Sequence, residues 1–293
     1  MPLANTAQTF GTVARTLHWL TALLILTAIP LGLIANALPY DTGEALALKA
    51  QVFSAHKTIG VAAFAVALAR ICWALSQARP APLHPDRRLE TRLAEAMHWL
   101  LYISLLTVPL SGWIHHAATT GFAPILWPLG QSLPFVPQSE TVANVAASLH
   151  WLFTKLLTAA ILLHVAGALK HHLIDRDATL RRMWRGTPAP ATPRAHRSRG
   201  PLVAALAIYA AGAGLALALV SPDPQPAAAP AQTTQAGNWQ VTEGTLSFTL
   251  RQMGATVEGR FAGWTAAITF DEAAPEGPAG RVDVTIDTSS LTL

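Results

Sequence analysis

The chain has 293 residues, enough for two domains, yet 52% of them are apolar and only 12% are charged, about half the charged share of a soluble protein. With a mean hydropathy of +0.36, this excludes a disordered chain, a coiled coil and an ordinary cytosolic enzyme, and points to a membrane protein. The single cysteine, Cys72, excludes an intramolecular disulfide framework, a Cys-rich zinc site and an iron–sulfur cluster held by this chain alone. A net charge of +4 invites a nucleic-acid reading, but where the charges lie argues against one. Eleven histidines and nine tryptophans are unusual in so apolar a chain, and the function is sought among them.

Five stretches are long and apolar enough to cross a bilayer. Nothing is charged between Arg15 and Asp41, which predicts the first span. The second runs from about Val52 to Leu75 and contains Arg70; the third begins near Glu95 and ends at His116. The fourth covers about Ala146 to Leu169 and contains Lys155, and the fifth runs from Pro201 to Val220. Arg79, Arg87, Arg88 and Arg92 fall between spans two and three, and eight Lys and Arg residues lie from Lys170 to Arg199, between spans four and five. The other two loops are nearly free of basic residues. Basic loops stay in the cytoplasm, so the N-terminus is expected inside and the residues after span five outside. Topology therefore accounts for the arginines without nucleic acid. The first span is no signal peptide, because its apolar run is too long and its basic n-region weak.

The predicted organisation is a transmembrane bundle at 10–185, a basic cytoplasmic linker at 186–200, a fifth transmembrane helix at 201–220, a Pro/Ala-rich linker at 221–236 and a β domain at 237–293. The last region alternates apolar and polar residues between Gly, Pro and Asp, the pattern of antiparallel strands. Only about four short strands fit there, fewer than a closed barrel needs, so this domain is expected to be incomplete.

Histidines within spans are rare and are functional candidates by default. His150 and His164 are fourteen residues apart on span four. On a helix that is a rise of about 21 Å and a rotation about 40° short of whole turns, so both rings face one side near opposite membrane surfaces. The same interval separates His18 from Gly32, His56 from Arg70, and His98 from Gly112. The expected topology sorts these residues into two layers. The outer layer holds His56 and His150 with Gly32 and Gly112 opposite; the inner holds His18, His98 and His164 with Arg70.

A low-spin haem takes two axial imidazoles from facing helices, and two stacked haems would carry electrons across the membrane. The chain has no C-x-x-C-H, so such haems would not be attached covalently. The glycines, Gly60 included, would make room for the macrocycle, and Arg70 would pair with a propionate. The outer ligands are then His56 and His150; the inner ones are His164 with either His18 or His98. His171 and His172 are expected to neighbour headgroups or propionates. His115 and His116 are either surface anchors or contacts for a quinone or oxidant. Lys57 and Lys155 either attract an anion or anchor headgroups. A metal- or proton-coupled transporter is disfavoured, because the spans lack intramembrane Asp and Glu.

The segments RTLHWLTALLI at Arg15, SAHKTIG at Ser54, AMHWLLYISLLTVPLSGW at Ala96, SLHWLFTKLLTAAILLHVAGALKHH at Ser148 and DRDATLRRM at Asp175 resemble the bacterial cytochrome b-561 family of four-helix membrane proteins. The resemblance implies two non-covalent b haems with ligands at His18, His56, His150 and His164, which leaves His98 as a neighbour. It also implies an inner-membrane, quinone-linked oxidoreductase using ubiquinone. One branch of the family takes electrons from superoxide; another serves as the cytochrome b subunit of a partner dehydrogenase or hydrogenase. The segment beginning WQVTEGTLSFTLRQMGATVEGRF at Trp239 resembles the start of YceI-like, lipocalin-like barrels, which hold a polyisoprenoid chain. The fold class expected is thus mainly α, a four-helix di-haem bundle with a fifth transmembrane helix, followed by a partial antiparallel β domain.

Overall fold

A computed structural model of the chain describes residues 2–84, 86–119, 122–188, 198–219, 239, 241–252, 255–270 and 280–292. The expected Pro/Ala-rich linker at 221–236 and residues 189–197 of the basic linker lie outside them. The chain divides into two compact units, Met1–Asp223 and Pro224–Leu293.

The first unit is helical: α1 (Thr12–Ala37), α2 (Gly43–Ser76), α3 (Arg88–Ala118), α4 (Glu140–Leu173), α5 (Thr179–Arg185) and α6 (Gly200–Leu219). All but α5 are long and apolar enough to cross a membrane. The long helices overrun the apolar stretches read from sequence because their caps lie in polar flanks. The Thr42 side chain accepts the Ala45 N–H at the start of α2, nine residues before Val52, and the Ser139 side chain accepts the Val142 N–H at the start of α4. Glu140 in the first turn of α4 and Lys170, His171 and His172 in its last turn complement the helix dipole. Pro30 and Pro109 sit inside α1 and α3, as membrane helices tolerate.

The helices pack chiefly as α1 on α2 and α3 on α4, with α2 against α3 and α6 against both α3 and α4. Small residues make the close contacts: Ala35, Ala50, Ala63, Ala67, Ala143, Ala146 and Ala160 are buried. Large ones such as Leu23, Leu26, Leu33, Leu162 and Leu163 face outward, where lipid would solvate them. A buried cluster of Val108, Phe153, Leu157 and Tyr209 joins α3, α4 and α6. The Tyr209 hydroxyl shares a hydrogen bond with Ser104 on α3, and its ring lies 5.0 Å from that of Phe153. Tyr209→Phe is expected to destabilise the docking of α6 by about 0.5–1.5 kcal/mol, read as a lower thermal unfolding midpoint with an unchanged visible spectrum.

Hydropathy gave no sign of α5, a seven-residue basic helix. It ends at Gly186, whose left-handed backbone (φ 68°) suits only glycine comfortably, and a Cβ there would meet the Arg15 guanidinium at 3.1 Å. Arg15 donates to the Trp184 carbonyl and Trp19 Nε1 to the Met183 carbonyl, pinning α5 to the start of α1.

In the second unit, β1 (Leu246–Gln252) pairs antiparallel with β2 (Ala255–Phe261), which pairs with the two-residue β5 (Leu291–Thr292). A separate antiparallel pair joins β3 (Trp264–Phe270) to β4 (Gly280–Ile286). The fold class is thus mainly helical with small antiparallel sheets.

Candidate functional site

His56 on α2 and His150 on α4 face one another with ring centres 6.2 Å apart and planes at 81°. Each is held the same way by the helix behind it. His56 Nδ1 lies 2.8 Å from the Ala28 carbonyl oxygen of α1, and His150 Nδ1 lies 2.8 Å from that of Val108 on α3. A carbonyl only accepts, so each Nδ1 carries the proton and each Nε2 keeps its lone pair for a ligand. This is how proteins orient metal-binding histidines.

Gly32 and Gly112, each four residues after the accepting carbonyl, make the approach possible. A Cβ on Gly32 would meet His56 Cε1 at 2.8 Å, and one on Gly112 would meet His150 Cε1 at 2.8 Å. This corrects the expectation that these glycines clear space for a macrocycle: they clear space for the imidazoles. Gly60 differs: a Cβ there would have nothing within 4 Å, so it clears no room for a side chain.

The other layer repeats the spacing. His18 on α1 and His164 on α4 have ring centres 6.2 Å apart, with planes at 59°. His98 on α3 stands closer to His164, at 5.2 Å, and its Nδ1 donates to the Ala94 carbonyl of its own helix (2.7 Å). Two metal–imidazole bonds of about 2 Å and two ring radii of about 1.2 Å put ring centres about 6.4 Å apart across one metal. His56–His150 and His18–His164 match that span; His98–His164 is too short for it. The four imidazoles therefore fit two haem irons. His18 differs in one respect: Arg70 Nη2 donates to its Nδ1 (3.1 Å), and the Arg70 guanidinium also lies over the Tyr102 ring at 5.4 Å.

Lys57, adjacent to His56, has its ammonium on the Phe122 and Ala123 carbonyls (2.6 and 2.8 Å) and 3.2 Å from His116 Nδ1. His116 is buried and bonded to Gln131, and Thr58 accepts the Leu126 N–H. These bonds fold the α3–α4 loop over the His56 end of the bundle, so Lys57 and His116 act there as loop anchors. His115 Nδ1 donates to the Ala143 carbonyl (2.9 Å). Lys155 lies over the Trp151 ring at 5.6 Å. His171 is bonded to Asp177, a partner that sequence reading did not single out. Nor did it single out the Ala28 and Val108 carbonyls.

Comparison with known proteins bears on the same residues. The chain is 31% identical over 186 residues to "Cytochrome b561 homolog 2" of Escherichia coli (strain K12), covering 62% of this chain and 95% of that protein. It is 25% identical over 169 residues to "Cytochrome b561 homolog 1" of the same organism, covering 57% and 92%. It is also 25% identical over 168 residues to "Probable superoxide oxidase CybB" of Yersinia pestis, covering 57% and 90%. Residues 9–186, which contain every histidine of the two layers, match the family described as "Prokaryotic cytochrome b561". The chain belongs to the prokaryotic cytochrome b561 family and is, with its five candidate membrane helices, a multi-pass haem b-binding membrane protein of electron transfer.

Proposed function

We propose that the chain holds two haems b, one between His56 and His150 and one between His18 and His164, and moves electrons between a donor at the His56 end and ubiquinone in the membrane. The observation that carries this reading is the 6.2 Å spacing repeated at two depths. Bound there, the haems supply one-electron relays.

The chain's residues do the positioning. Ala28 and Val108 fix the tautomer and direction of His56 and His150. With a haem bound, Arg70 would pair with a propionate instead of His18 Nδ1, and His18 would then carry its proton on Nδ1 and offer Nε2 to the iron. His98 stays bonded to its own helix as a neighbour of that site. Charge placement supports an orientation with the N-terminus cytoplasmic and the His56 end outward, in a bacterial inner membrane.

Superoxide as donor is supported by the similarity to the Yersinia protein named as an oxidase of it. Two superoxide anions, one quinone and two protons then give two dioxygen and one quinol. The second reading is a cytochrome b subunit serving a separate dehydrogenase or hydrogenase. Stopped-flow mixing of the oxidised purified protein with superoxide separates them. The first reading predicts rapid b-type reduction without a partner, reversed by added ubiquinone. Reduction by quinol but not by superoxide would favour the second.

For the Pro224–Leu293 unit, the YceI-like motif and the antiparallel pairing support a domain that binds a polyisoprenoid chain, such as a quinone tail.

A further inference from the structure

A second convergence of ligand-type side chains lies outside the two histidine layers. His84, in the loop between α2 and α3, and His171, in the last turn of α4, both aim a ring nitrogen at one oxygen of Asp177. His84 Nε2 is 3.0 Å and His171 Nδ1 2.8 Å from Asp177 Oδ2. The two imidazoles stack with planes 6° apart. The three ligand atoms lie within 4.8 Å of one another.

The backbone holds all three in place. The His84 carbonyl accepts the Arg87 N–H and the Thr91 hydroxyl. The Asp177 N–H donates to the His171 carbonyl, and Asp177 Oδ1 accepts the Thr179 N–H (2.8 Å) at the start of α5. Between them Arg176 takes a left-handed backbone (φ 53°), an uncommon conformation for a non-glycine residue, so this elbow is held by its surroundings. Burial alone would raise the Asp177 carboxyl, but hydrogen bonds from Thr179, His171 and His84 outweigh it and hold the group at about 2, ionised at any physiological pH. Of the neighbouring cations, Lys170 and Arg87 pair with Glu90 and Asp175, Arg181 donates to the Asp177 main-chain carbonyl (3.4 Å), and the Arg182 guanidinium faces the Asp177 carboxylate electrostatically.

We infer that His84, His171 and Asp177 form a binding site for a zinc-class divalent transition-metal ion, clamping the α2–α3 loop to the α4–α5 elbow. Two imidazoles and one carboxylate are the donor set of zinc and its neighbours; magnesium and calcium prefer oxygen alone. Ligand atoms around a tetrahedral zinc sit about 3.3 Å apart, from bonds of about 2.0–2.1 Å. The two nitrogen–carboxylate distances of 3.0 and 2.8 Å are close to that spacing, and the two ring nitrogens lie within 4.8 Å of one another. On binding, each ring gives the metal the nitrogen it now points at Asp177, and its proton moves to the other ring nitrogen. The fourth position takes water. Each ligand lies at a helix end or in a loop, so the ion ties together three segments that side-chain hydrogen bonds now join.

The test is equilibrium dialysis of tag-free, detergent-solubilised full-length protein against Zn²⁺, with metal counted per chain, and with His84→Ala, His171→Ala, Asp177→Asn and His172→Ala compared. The site predicts a zinc ion that excess Mg²⁺ does not displace. Affinity falls at least about tenfold in each of the first three variants and is unchanged in His172→Ala. An unchanged haem spectrum shows that a variant has folded. Should His84→Ala fail that check, His84→Gln, which keeps the side chain's bulk, is read in its place. No zinc bound by the parent protein, or full affinity retained in the His84 variant, overturns the proposal.

Discussion

Replacing His150 by Ala is expected to lower the haem content of the purified protein from two per chain to one. His150 is the α4 member of the pair with His56, and among the described residues no other histidine ring is placed to take over. His115 has its Nδ1 on the Ala143 carbonyl, and His116 is tied to Lys57 and Gln131. An iron left with His56 alone would lose one of two axial bonds and the shape of its pocket. His56→Ala should therefore give the same single-haem protein, and His164→Ala should remove the other haem. His98→Ala should keep both, because its ring stands 5.2 Å from His164 and its Nδ1 is bonded within its own helix. Pyridine haemochrome assay against protein mass reads all four. Retention of both haems in His150→Ala, or loss of one in His98→Ala, would show that the pairs are drawn wrongly.

Gly112→Val should remove the same haem without touching a ligand. A Cβ at residue 112 would stand 2.8 Å from His150 Cε1 and 2.9 Å from its Nδ1. Contacts that short do not persist, so the ring must give way and lose its bond to the Val108 carbonyl. With that bond goes the tautomer that leaves Nε2 free. Outer-haem occupancy is expected to fall at least about tenfold, with Gly112→Ala intermediate and Gly32→Val equivalent through His56. Gly60→Ala is a contrast: its Cβ meets no protein atom within 4 Å. It should leave both imidazole pairs undisturbed and stabilise α2 by about 0.5–1 kcal/mol through helix propensity. Full outer-haem occupancy in Gly112→Val would mean that the approach of ring to backbone plays no part in binding.

Much of this was legible in the sequence, for physical reasons that differ by residue. Hydropathy marks five spans because lipid tolerates so few polar side chains, and a fourteen-residue interval on a helix fixes both depth and face. That brought His56 to His150, and His164 to either His18 or His98, with the family resemblance favouring His18. Depth alone did not separate His18 from His98, since both enter from the same end; ring distances of 6.2 and 5.2 Å to His164 do. The glycines were noticed for the right interval and given the wrong neighbour, because sequence reports the missing Cβ but not what fills its place. The Ala28 and Val108 carbonyls were illegible, since every residue has a carbonyl and side-chain identity says nothing of which one is used. Helix α5 escaped because seven basic and apolar residues carry no periodicity to read. His84 escaped because a lone loop histidine gains meaning only from Asp177, 93 residues away.

The most direct measurement is the haem b content of the intact purified protein, by haemochrome extraction against quantitative amino-acid analysis. Imidazole pairs at two depths predict two haems per chain; a ratio of one, or a colourless protein, would contradict the account.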